Sequence, residues 1–130
     1  MSTILVTQVD PLFTKLAQDT DLGTAGGTTA TLARIESGSQ SAKMVEVDNT
    51  ANSSVDSYVK LYNSASTGAV TLGTTAPTAI LYAPKGDKIC YTVPAGMAFS
   101  SGIVWTCVTS ARTAGTAPPA SSVAARLLYG

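Results

Sequence analysis

Eight carboxylates are available for acid–base or metal chemistry: Asp10, Asp19, Asp21, Glu36, Glu46, Asp48, Asp56 and Asp87. A pair flanking a cleft would suit glycoside hydrolysis, and a run with a terminal glutamate would suit calcium. These are scattered, and Asp19 and Asp21 lack the further acidic ligands of a calcium loop. The chain contains no histidine. That removes the usual base for a serine or cysteine nucleophile and the commonest metal ligand. Ser100-Ser101-Gly102 therefore reads as a turn, since it also lacks the Gly-x-Ser-x-Gly frame. Gly23-Thr24-Ala25-Gly26-Gly27 is glycine-rich, but no Gly-Lys-Ser/Thr follows, so it reads as a flexible loop and not a phosphate cradle. Cys90 and Cys107 have neither metal spacing nor a C-x-x-C arrangement, and read as reduced, half-buried thiols.

Tyr58, Tyr62, Tyr82, Tyr91 and Trp105 have the residue types of an aromatic platform for sugars or bases. Base stacking needs positive charge alongside. Here eight Lys and Arg balance eight Asp and Glu. Core packing, with some hydroxyls at an interface, is the better expectation. Asn52-Ser53-Ser54 matches a glycosylation sequon, but no secretory signal is read at Met1–Val6, so no use is expected for it. No catalytic, cofactor-binding or metal-ligating residue is assigned, and no cofactor is expected.

The elements that must carry these residues are short strands. Charged residues are 12% of the chain, about half the usual share. Serine and threonine together number 33 of 130 residues. Balanced charge gives no attraction for nucleic acid or anionic lipid, and no apolar run approaches a membrane span. Hydrophobic residues make up 45% of the chain, enough for a packed core. The clearest strand is 55–63: Val55, Ser57, Val59 and Leu61 share one face, and Asp56, Tyr58, Lys60 and Tyr62 the other. Further strands are predicted at 3–9, 31–36, 43–49, 78–83, 87–93, 103–109 and 123–129, with a short one at 69–72. Pro84-Lys85-Gly86 predicts a hairpin between 78–83 and 87–93, and Pro94-Ala95-Gly96 the next turn. Asp10-Pro11 predicts a one- or two-turn helix with Leu12, Phe13, Leu16 and Ala17 on one face.

The pattern is all-β: an antiparallel β-sandwich or jelly-roll-like barrel of about seven or eight short strands, with an extended N-terminal segment and one short helix. Residues 28–130 form the sandwich domain. Residues 1–27 read either as an arm that adds a strand to a partner's sheet or as the domain's first strand plus a flexible loop. Its apolar residues Ile4, Leu5, Val6, Leu12, Phe13 and Leu16 are the candidate protein interface.

Three stretches carry a family resemblance: Tyr58-Val59-Lys60-Leu61-Tyr62-Asn63, Gly73-Thr74-Thr75-Ala76-Pro77, and Pro94-Ala95-Gly96-Met97-Ala98-Phe99-Ser100-Ser101-Gly102-Ile103. The chain from about residue 55 to 130 resembles small structural proteins of tailed bacteriophages, cyanophages included, most closely capsid cement (decoration) proteins. The resemblance implies a non-enzymatic protein of the virion surface, made in the host cytoplasm. Its partners would be the major capsid protein and itself, as a homotrimer, with no nucleic acid and no membrane. The alternative is a tail, neck or fibre component, or a receptor- or carbohydrate-binding module.

Overall fold

The computed structural model describes residues 4–8 and 15–130. Among the described residues, nine strands form two antiparallel sheets packed as a sandwich, not a closed barrel. They are β1 (Ile4–Gln8), β2 (Lys15–Asp19), β3 (Ala33–Ser37), β4 (Gln40–Asp48), β5 (Ser57–Asn63), β6 (Ala79–Ala83), β7 (Lys88–Phe99), β8 (Gly102–Val108) and β9 (Ala124–Tyr129). The five-stranded sheet runs β1-β2-β9-β4-β7, and the four-stranded sheet β3-β8-β5-β6. Among the described residues the helical content is one 3-10 turn, Thr67–Ala69, and no helix is long and apolar enough to cross a membrane.

Alternation builds the core. Val59 and Leu61 of β5 meet Ile103, Trp105 and Cys107 of β8 and Val45 and Val47 of β4. Trp105 is the largest fully buried side chain, and Phe99 and Ile103 on either side of the 100–102 turn are also fully buried. Gly102 must be glycine: its φ is 142°, and a Cβ there would lie 2.6 Å from the carbonyl oxygens of both Glu36 and Ser64. Both cysteines are free. Cys90 is exposed, whereas burial pushes the Cys107 thiol up to about 12 despite bonds with Ser57 and the Tyr58 backbone.

Several expectations are corrected. Leu16 and Ala17 lie on β2, not on a helix, because β2 pairs on both sides, with β1 and with β9. The expected helix residues Leu12 and Phe13 lie outside the described residues. β6 and β7 belong to different sheets, so Pro84-Lys85-Gly86 turns a corner of the sandwich and makes no hairpin. β7 continues through Pro94-Ala95-Gly96; between Thr92 and Met97 its residues have no β4 partner, a bulge that an edge strand tolerates. The segment 69–72 is not a strand.

Candidate interaction surface

Each sheet has an outer face, and the two faces differ. On the four-stranded sheet, Lys60 and Tyr62 of β5 and Val104, Thr106 and Val108 of β8 point away from the core yet are buried. The connecting segments cover them. Val70 and half-buried Leu32 and Leu72 pack on Tyr62 and Val104. The Thr106 hydroxyl donates to the Thr31 carbonyl at 2.7 Å. The Lys60 ammonium donates to the carbonyls of Arg112 (2.6 Å) and Gly115 (3.1 Å). Burial lowers the Lys60 pKa, and this desolvation is offset by the two carbonyls that hold the 109–117 loop. The Tyr62 hydroxyl and Trp105 Nε1 are buried with no hydrogen-bond partner in the protein among the described residues.

The outer face of the five-stranded sheet carries no such cover among the described residues. Because residues directly opposite in an antiparallel sheet share a face, the strand register defines its rows. One row runs Thr7, Leu16, Leu128, Met44, Thr92 across all five strands. Leu16, Met44 and Leu128 are half-buried and stand apart from the core cluster, to which their neighbours Ala17, Val45 and Leu127 belong. The adjoining row is Leu5, Gln18, Arg126, Glu46, Cys90. Here Arg126 Nε donates to Gln18 Oε1 at 3.2 Å, and Lys88 lies 3.6 Å from Glu46. Beyond it, Asp48 accepts bonds from the hydroxyl (2.6 Å) and backbone (3.0 Å) of Thr50, which hold its carboxyl below the usual range. A shallow depression of about 340 Å³ opens between Gln18, Glu46, Asp48, Lys88 and Arg126. An apolar row bordered by paired charges is the anatomy of a protein interface: a dry stripe beside a polar rim.

The sequence-predicted residues divide across this geometry. Leu5, 60% exposed, and Leu16 lie on the outer face. Ile4 packs partly against the core. Val6 shares the inner side with Ala17 but remains 43% exposed at the sheet edge. Leu12 and Phe13 are outside the described residues. Met44, Arg126 and Leu128 were not anticipated; the alternation around Leu127 could have exposed Leu128, had the partner strands been known.

Two further clusters lie at the sandwich seams. Between β2 and β3, Lys15 Nζ bonds Glu36 at 2.8 Å, and Tyr129 lines the same depression as this carboxylate. At the other seam the Tyr58 and Tyr82 rings lie 5.5 Å apart, and the Tyr91 hydroxyl donates to the Tyr82 carbonyl. Trp105 and Tyr62 are buried elsewhere, so the five aromatics do not form one platform. Among the described residues no three His, Cys, Asp or Glu side chains converge as a metal cluster. Comparison with known protein families, with characterised proteins and with solved structures finds no match to this chain.

Proposed function

We propose that this chain is a structural protein of a tailed-bacteriophage particle, a capsid cement protein that ties neighbouring major capsid proteins together on the virion surface. The observation that carries a docking role is the contrast between the two outer faces. On the four-stranded sheet the loops cover the outward residues of β5 and β8 and leave Ile80 and Tyr82 of the edge strand β6 exposed, whereas the five-stranded sheet presents an uncovered apolar row beside a charged one through its centre. The motifs between Tyr58 and Ile103 select the phage particle as the setting, by resemblance. In this reading the bare face lies against the shell. A single contact of this kind is modest, and many copies on one shell reinforce each other through effective concentration. No substrate, cofactor, nucleic acid or membrane enters the mechanism.

Copy number tests the proposal. On a stained gel of purified particles the chain should approach stoichiometry with the major capsid protein. Scarcity by tens of fold overturns it. A second reading, a tail, neck or fibre component or a carbohydrate-binding module, is favoured by one observation: the ring contact of Tyr58 with exposed Tyr82 at the β5–β6 surface. Such a protein would be scarce in the particle and would bind host glycans through that patch.

A further inference from the structure

Among the described residues four strands form sheet edges, and three of them carry features that block strand addition. β3 places Arg34 and Glu36 in five residues and has a register shift between them. β6 has the Tyr91 hydroxyl on its Tyr82 carbonyl and a proline immediately after it, Pro84. β7 begins with Lys88, contains Pro94 and is bulged. β1 has none of these. Its sequence is Ile-Leu-Val-Thr-Gln, with no charge, proline or glycine, and its register with β2 is unbroken over all five residues. Leu5 and Val6 on it are two of the five exposed large hydrophobics among the described residues.

We propose that the β1 edge takes a second copy of this chain, β1 against β1, in an antiparallel two-fold pair centred on Val6. The strand is its own complement. Without charge, self-pairing meets no like-charge repulsion. Centring on Val6 sets Leu5 opposite Thr7 of the other copy and Ile4 opposite Gln8. Leu5 then lies in line with the other copy's Thr7, Leu16, Leu128 and Met44, because that row continues from Thr7 across the sheet. The most exposed leucine is thus covered, and the two five-stranded sheets become one sheet of ten in which each copy's apolar row is extended by the other copy's Leu5, before that copy's Gln18 and Arg126 follow. Five residues a side bury less than the ~1,000 Å² of a stable interface. The pairing is therefore weak in dilute solution and takes hold where copies are concentrated, as they are on any repeating surface. It stands independently of the capsid reading. It gives a dimer and not the trimer that the resemblance implies.

Sedimentation equilibrium of the purified chain, from about 10 μM to about 1 mM, covers the affinity range of such small contacts. A monomer–dimer equilibrium is expected; monomers throughout, or a trimer, overturn the proposal. Register is tested by charge. Leu5→Lys with Thr7→Lys sets the two introduced lysines opposite each other across the two-fold and should weaken the dimer more than about tenfold. Leu5→Lys with Thr7→Glu sets opposite charges there and should restore it. Both positions are solvent-facing, and matched melting curves for the two variants show that the fold is kept. Equal dimerisation by both overturns the register. Finally, Val6→Cys in a Cys90→Ser background should give a disulfide-linked dimer on mild oxidation, since paired strands bring opposed Cα atoms within disulfide range. Absence of that crosslink also overturns it.

Discussion

Asn52 Nδ2 donates to Asn49 Oδ1 at 2.9 Å inside the sandwich, between β4 and β5. The pair is a buried hub. Asn49 Oδ1 also accepts from the Ser57 hydroxyl at 3.0 Å, and its Nδ2 lies 3.1–3.2 Å from the carbonyls of Val55, Ala83 and Pro84. Asn52 in turn exchanges bonds of 2.9 Å with the Ser121 backbone in both directions. Two amides thus tie the corner after β6 and the segment before β9 to one end of the molecule.

Asn49→Ala should therefore cost about 3 kcal/mol, because several buried polar groups lose their partner at once. A fall in melting temperature of about 10 °C is expected for a domain of this size. Asn49→Asp should be worse at neutral pH, since it keeps the acceptor but sets a carboxylate against three carbonyls. Thermal melts at pH 7 and at pH 4, where protonation relieves the repulsion, check both expectations.

Lys60 predicts a local effect. Its ammonium holds the carbonyls of Arg112 and Gly115, and Arg112 itself is exposed. Lys60→Met keeps the stem packed and releases the loop. Charged hydrogen bonds contribute roughly 1.5–3 kcal/mol, so trypsin should cut after Arg112 more than about tenfold faster. Unchanged cleavage would show that the loop is held by other contacts.

Glu36 and Tyr129 predict the pH limits. Burial works against ionising Glu36, but hydrogen bonds from Lys15 and Tyr129, with the Lys15 charge, hold its carboxyl below the usual range. A depressed carboxylate stabilises the fold above its unfolded pKa, and that contribution is lost as pH falls through the folded value. Burial, then the bond to Glu36 and its charge, push Tyr129 upward. A raised phenol stabilises the fold below about pH 10 and loses that contribution as pH rises further. Glu36→Gln should flatten both limbs of a plot of melting temperature against pH. If only the acid limb changes, the Tyr129 bond contributes nothing.

Much of the sandwich was legible because strand alternation has a period of two. Ile103, Trp105 and Cys107 face the core as the pattern requires. The pattern could not show that Val104, Thr106 and Val108 are buried too, because their cover comes from loops distant in sequence. Lys60 misleads for the same reason: a lysine on the polar face of a strand ordinarily meets water. Pro94 suggested a turn, but β7 is an edge, where a missing N–H breaks no ladder. The spacing of Leu12, Phe13 and Leu16 after Asp10-Pro11 suits a helix, and only pairing with β1 and β9 makes a strand of Leu16 and Ala17. The candidate surface was half visible. Leu5 and Leu16 stood out as apolar residues near the start of the chain, whereas Met44 and Leu128 join them only through register across four strands.

That register supplies the last prediction. Met44 and Leu128 are cross-strand neighbours at the centre of the outer face, and neither belongs to the core cluster. Lysine at either position keeps a long aliphatic stem over its neighbours and places its charge in water. Stability should change by less than about 1 kcal/mol, as for surface substitutions. The proposed capsid role sets a different expectation for attachment to a shell. A charge in the middle of a dry stripe must be desolvated without a partner, and central apolar contacts dominate interface energetics. Leu128→Lys should therefore lower attachment to stripped particles by more than about tenfold in a co-sedimentation assay, while Tyr82→Ala leaves it unchanged. The reverse result, with attachment lost through Tyr82 and kept with Leu128→Lys, would move the docking surface to the β5–β6 aromatic patch and favour the glycan-binding reading.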